Sequence, residues 1–362
     1  MVITQEKHTI FLDDLGGEER EINIIKSTTL STLINIFHGL KKLYLDKKLP
    51  VEEYDMYKAV SNAVHNYRPE FNLEDLTFFI HTFKDNDFNN NIQILLGTYT
   101  GALLDFKTYL NNLEDKETYL YLNGEGSRFK YLFYNARNVD KLILDNWKGD
   151  CIGSNIANRG EANFIALLNC EGNWIGSSVG KNGILDNYFA INNKGDHCVY
   201  GTGNKGESEL IVLFNNEGKD LMYTLSADGK AKIILSMNNY GEDNNWALGY
   251  DHGEMEYLIL KNNKGKNAIH YICNKGNAEH VFLLENKSND DFYPTIKNLY
   301  TYKNPVKYNG NHIKGKATLK AYQNTLDKLN LNKIVQLADN PEQCKGEVFA
   351  KRLIKMAEEV NL

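Results

Sequence analysis

The sequence predicts a mainly β fold with α-helical flanks: a β-solenoid of 23-residue coils over 118–290, set between an N-terminal helical domain and C-terminal helices. Two turn rows and the strand pattern between them carry this reading. The first row has Asn, two residues, then Gly, starting at Asn123, Asn146, Asn169, Asn192, Asn215, Asn238 and Asn262; Asn286 continues it with Asn289 in place of glycine. The steps are 23 residues until the last two, which are 24. A second row, Gly160, Gly183, Gly206, Gly229, Gly253 and Gly276, keeps the same period. Fixed periods of this length mark stacked supersecondary units.

Between the turns the chain reads as strand. Four residues before each Asn stand Tyr119, Leu142, Ile165, Tyr188, Ile211, Ile234, Leu258 and Phe282. Two before stand Tyr121, Leu144, Leu167, Ala190, Leu213, Ser236, Leu260 and Leu284. Residues two apart share a strand face, so these columns are expected to fill the interior. The eight ladder Asn residues are expected to bend each coil and to hydrogen-bond along the stack. An antiparallel hairpin meander, similar to MORN-type repeats, also fits the period. It would alternate polar and apolar, whereas Leu142-Ile143-Leu144 and Leu210-Ile211-Val212-Leu213 are apolar on both faces.

Small residues gather before the second turn row, as in Ile152-Gly153-Ser154 and Ile175-Gly176-Ser177, and suit a tight corner or a close approach of backbones. The spacings Gly149-x3-Gly153 and Gly172-x3-Gly176-x3-Gly180-x2-Gly183 resemble the right-handed β-helix repeats of the GXGXG type, found at the C-terminus of glutamate synthase large subunits and in a subunit of formylmethanofuran dehydrogenase. The resemblance covers about 146–206 and implies a fold; no functional residue carries over from it.

The flanks follow in order. Residues 1–26 read as a β-hairpin around Leu15-Gly16-Gly17-Glu18. The segment 27–117 reads as a helical domain of four helices: an apolar stripe from Leu30 to Leu45, a second helix over 51–66, a third opening at Asn72 with acids in its first turn, and an apolar fourth over 89–113. The tail, 291–362, reads as an irregular linker followed by helices at about 317–329, 333–338 and 347–360. Open solenoid ends need covering, and the two helical regions are expected to cap one end each. The tail holds 12 Lys or Arg against 7 Asp or Glu, which reads as a solvated helical face rather than a nucleic-acid site.

Function is less legible. The net charge of −6 lacks the basic footprint of a nucleic-acid binder. The sequence shows no stretch resembling a signal peptide and no apolar run near the ~18 residues of a membrane span. Five cysteines without a CxxC suit free thiols, so a cytoplasmic protein without nucleic-acid or membrane partners is expected. His197, Cys198, His252, His270, Cys273 and His280 fall in different columns, and no metal or other cofactor is expected. Asp150, Glu161, Asp196, Glu207 and Glu254 suit solvated corners or, with Trp174 or Trp246, a polysaccharide groove. One column stands out. Ile143, Ala166, Phe189, Val212, Leu235, Ile259 and Leu283 lie between the two inward columns and would point outward. Such a stripe must be covered. Either the chain's own helices lie on it, or Ile143, Phe189, Val212, Leu235 and Ile259 form an interface for a homo-oligomer or protein partner. The expected function is a non-catalytic scaffold or protein-interaction protein. The alternatives are a β-helix subunit of a larger enzyme complex and a carbohydrate-binding or carbohydrate-cleaving β-helix.

Overall fold

The computed structural model describes residues 28–242, 248–249, 252–265, 272, 276–286, 296–303 and 312–362. The expected hairpin within 1–26 lies outside them. Four helices come first: α1 (Thr28–Leu45), α2 (Glu53–Tyr67), α3 (Leu73–Phe83) and α4 (Asn90–Asn112). Asn72 and Asp75 cap α3 reciprocally, each side chain accepting from the other's backbone N–H at 2.9 and 3.1 Å. Pro69 disfavours helix at Arg68, which ends α2 in the left-handed region at φ 44°. Leu33, Phe37, Phe79, Leu95 and Tyr99 are completely buried between these helices.

The helical unit seats on the first coil through α4. A Cβ on Gly97 would lie 2.0 Å from the Tyr131 carbonyl oxygen, and one on Gly101 2.5 Å from that of Tyr134. A Gly-x3-Gly pair on one helix face therefore admits the solenoid backbone where any side chain would push it away.

Among the described residues ten strands form one sheet in sequence order: β1 (Tyr119–Asn123), β2 (Asn138–Asp145), β3 (Glu161–Leu168), β4 (Ile184–Ile191), β5 (Glu207–Phe214), β6 (Lys230–Met237), β7 (Glu254–Lys261), β8 (Asn277–Leu284), β9 (Ile296–Tyr302) and β10 (His312–Lys314). Every pairing is parallel, which excludes the antiparallel meander. The sheet also continues beyond 290, through the region expected to be irregular.

The inward columns hold from Leu142 and Leu144 to Leu258 and Leu260, with two corrections at the ends. Leu120 and Leu122, not Tyr119 and Tyr121, align with β2, because the first step is 22 residues. Val281 and Leu283, not Phe282 and Leu284, align with β7, because the last step is 23. Leu283 is therefore inward, and Phe282 takes its place in the outward column.

The second wall of the solenoid is a run of turns whose backbone alternates. Every second residue has a positive φ: Cys151, Gly153, Asn155, Ala157 and Arg159 at 55–62°, then Trp174, Gly176, Ser178, Gly180 and Asn182 at 55–65°. Their N–H groups point alternately to the next and the previous coil, as in Cys151 to Asn173, Gly153 to Leu132 and Asn155 to Ser177. Ile152, Ile156, Ile175, Val179, Leu221 and Leu225 face inward from this wall and meet the strand columns in one core. Full burial of each such side chain contributes about 1.5–3 kcal/mol. The small residues read as corners thus belong to a continuous wall, where glycine and Asn meet the left-handed requirement at least cost.

Helices α5 (Lys316–Lys328), α6 (Asn332–Val335), which runs into a 3-10 turn over Gln336–Asp339, and α7 (Gly346–Glu358) complete the chain. They run back along the outer face of the sheet, from β9 and β10 at α5 to β1 at α7.

Candidate functional site

The outward column is where the sequence placed a candidate interface, and the structure places the chain's own helices there. Ile143, Ala166, Phe189, Val212, Leu235 and Ile259 are all fully buried. They share one core with Tyr322, Leu326, Leu337, Phe349, Leu353 and Ala357 of the C-terminal helices. The five residues named as an interface are therefore not a free surface; the apolar stripe is covered in cis.

The ladder Asn residues form the seam of that cover. Asn146, Asn169, Asn192, Asn215, Asn238 and Asn262 have φ of 52–60°. Asn192 donates to Asn169 Oδ1 at 3.0 Å and Asn262 to Asn238 Oδ1 at 2.8 Å. The same row reaches the cover: Asn169 donates to the Cys344 carbonyl, Asn192 to that of Pro341 and Asn238 to that of Ala338, at 2.7–2.8 Å. Two members stand elsewhere. Asn123 ends β1 opposite Asp145. Asn286 lies one residue past the row, whose last position is Glu285 at φ 57°.

Asn286 belongs to a second ladder that sequence reasoning missed. Asn193, Asn216, Asn239, Asn263 and Asn286 are 0–2 % exposed. Each Oδ1 from Asn216 onward accepts both the backbone N–H and the side-chain N–H of the Asn one coil earlier, at 2.9–3.2 Å. Each Nδ2 donates to a strand carbonyl, as Asn216 does to Ala190 at 2.9 Å. The signal was present in the doublets Asn192-Asn193, Asn215-Asn216, Asn238-Asn239 and Asn262-Asn263.

The other half of the outer surface is open. The third residue of each strand, Asn163, Asp186, Glu209, Lys232 or Glu256, drops out of the pairing register. That bend lets two successive residues face outward. One joins the covered core and the other lines an open groove of about 420 Å³, with Asp186, Glu207, Glu209, Lys230, Lys232, Glu254 and Glu256 on its walls. Lys232 pairs with Glu209 at 2.6 Å and Lys230 with Glu254 at 3.2 Å. Burial, then the charges of Glu209 and Glu161, push the Asp186 carboxyl above its usual range.

Of the carboxylates singled out from sequence, Glu161, Glu207 and Glu254 open β3, β5 and β7 on one row, with Ile184 and Lys230 between them. Asp150 and Asp196 lie on the opposite wall and accept backbone N–H groups of the next coil, from Asn173 at 3.1 Å and Lys219 at 2.9 Å. Cys198 faces the core, and its burial pushes the thiol up to about 12; His197 lies outside, stacked 4.2 Å from the Trp174 ring. The pair sits in the turn wall rather than a strand, with its groups on opposite sides. Burial likewise raises Cys170 and Cys151 to about 12, which makes poor nucleophiles. His252 donates its backbone N–H to Asp228 at 3.2 Å, and His280 stacks 4.9 Å from Tyr257. His270, Cys273 and Trp246 lie outside the described residues. Among the described residues no group of three or more His, Cys, Asp or Glu could hold a metal, and no helix is long and apolar enough to cross a membrane. Set against protein-family models, curated proteins and solved structures, the chain matches none.

Proposed function

We propose that this chain is a non-catalytic interaction scaffold whose partner docks on the open, charged half of the strands. One observation supports this best: the apolar half of the outer face is covered by α5–α7, while the polar half of the same strands stays open as a groove with five carboxylates and two lysines. That charge balance favours a basic segment as the partner. Its carboxylates are partly neutralised by lysines, and the buried thiols are held protonated, which suits recognition better than chemistry. The test is a cross-linked complex purified from the source cell, with the Glu209→Lys, Glu256→Lys double variant beside it. Cross-links to the groove that the double variant abolishes are expected. A partner retained by the double variant, or cross-links confined to another face, would overturn the reading.

The second reading is a β-helix subunit of a larger enzyme, as the GXGXG resemblance implies. Its support is the glycines at left-handed positions of the turn wall, a requirement Trp174, Ser178 and Ala157 meet as well. It predicts a stable partner that carries a cofactor. Carbohydrate recognition has less support, because Trp174 stacks on His197 and Tyr200 on Tyr223, which occupies ring faces a sugar would need.

A further inference from the structure

A cationic cluster joins the helical unit to the first two coils, away from the groove described above. Lys58 on α2, with Arg137 and Arg159 just before β2 and β3, converges on Tyr54. The Lys58 Nζ lies 4.1 Å from the Tyr54 ring centroid, and the Arg159 and Arg137 guanidinium carbons lie 4.7 and 5.2 Å from it. Arg137 also lies 4.6 Å from the Tyr57 ring. Two of the chain's six arginines thus meet at one phenol, in a chain of net charge −6.

Stacking alone does not require Arg137. In the next coils its position is held by Gly160 and Gly183, where a Cβ would come within 2.2 Å of a neighbouring carbonyl oxygen. The first coil is seated on helices rather than on another coil, so a side chain fits, and the one present is a cation aimed at α2. A single arginine stacked on Tyr57 would pin the helical unit. Three like charges around one aromatic ring repel one another, and an anion among them would relieve that repulsion.

Among the described residues no carboxylate lies within ion-pair distance of any of the three. Nearby cations are matched: Lys130 with Asp150 at 3.3 Å, and Lys141 with Glu117 and Glu358 at 3.0 Å. Glu53, next to Tyr54 in the chain, is turned away and accepts from the Tyr134 hydroxyl at 2.6 Å. Tyr54 is 41 % exposed, so the cluster opens to solvent. The three cations gathered at Tyr54, Arg159 foremost, hold its phenol below the ordinary value.

We propose that Lys58, Arg137, Arg159 and the Tyr54 hydroxyl form a binding site for a dianionic phosphoryl group, as free phosphate or as a small phosphate monoester. Two guanidinium forks and an ammonium match the several oxygens of a phosphoryl group better than the two of a carboxylate.

The test is calorimetric titration of the full chain with inorganic phosphate and with phenyl phosphate, in chloride buffer at constant ionic strength. Saturable binding of one equivalent is expected. Lys58→Gln and Arg159→Gln, both at exposed positions, should each weaken it about tenfold, and Tyr54→Phe about threefold. Tighter binding of phenyl phosphate assigns the site to a monoester, and equal binding assigns it to free phosphate. Absence of saturable binding, or binding unchanged in both charge variants with intact circular dichroism, would overturn the proposal. Arg137→Gln is not used alone, since it also loosens the contact with Tyr57.

Discussion

On β5, Leu210, Val212 and Phe214 lie fully buried beneath the C-terminal helices, whereas Glu207 and Glu209, on the same strand, open onto the groove. The same division recurs on β6, where Ile233, Leu235 and Met237 are covered and Lys230 and Lys232 are open. The boundary is the bend at the third residue of each strand. An apolar stripe on the outside of a solenoid is therefore no evidence of a second chain. It shows that something covers the stripe, and here the cover is carried by the same chain and sewn on by the turn Asn residues.

The two halves differ most in how they bear an added charge. Val212→Glu places an unpaired carboxylate under α5–α7 and is expected to cost about 3–5 kcal/mol, with the C-terminal helices losing protection in hydrogen exchange before the inner core does. Glu209→Leu, a few residues away, is expected to stay within about 1 kcal/mol. Equal destabilisation by the two would erase the distinction between halves.

A second contrast lies between adjacent Asn rows. Asn216→Ala leaves the Asn193 N–H and the Ala190 carbonyl without their buried partner, and urea unfolding should show a loss of about 3 kcal/mol. Asn215→Ala, in the turn row, gives up left-handed preference only and should lose about 1 kcal/mol. Comparable losses would mean that the buried ladder is not what holds the coils in register.

The glycine row adds a test of similar size. A Cβ on Gly195 would lie 1.9 Å from the Gly172 carbonyl oxygen, at φ 144°. Gly195→Ala is expected to cost about 2 kcal/mol or more, read as a fall in melting temperature. Gly39→Ala on α1, with nothing near its Cβ, should instead raise stability by up to about 1 kcal/mol.

The smallest effect concerns pH. The Asp186 carboxyl is raised, so the folded state holds its proton more tightly than the unfolded chain does. Stability should then fall as pH climbs from the ordinary carboxylate value through the raised one. Asp186→Asn removes that loss. Because the group is only partly buried, the gain at neutral pH should be a few tenths of a kcal/mol, vanishing at pH 2. Destabilisation by the same variant at pH 7 would show that the carboxylate makes a favourable contact in the groove.

The period, the parallel stacking and the flanking helices were legible because each rests on local chemistry repeated many times. Asn72 announces α3, and Leu142, Ile165 and Ile211 announce a strand face. Three features were not legible. Register slips at the first and last coils depend on steps of 22 and 23 residues, which Asn123 and Asn286 disguise by mimicking the row. The alternating turn wall breaks the assumption that a small-residue run is a corner. The path of α5–α7 depends on which of their faces pack on the outward column, a long-range match that helical periodicity alone does not specify. The groove was half legible: Glu207 and Glu254 stood out, but Asp186 and Glu209 share it only because of the bend.

The measurement that bears most directly on the covered stripe is native mass in solution, taken on the unaltered chain and on Val212→Glu. The mass of one chain is expected for both, with the C-terminal helices of the variant alone becoming open to exchange. An oligomer of the unaltered chain that Val212→Glu dissociates, its C-terminal helices still protected, would contradict it.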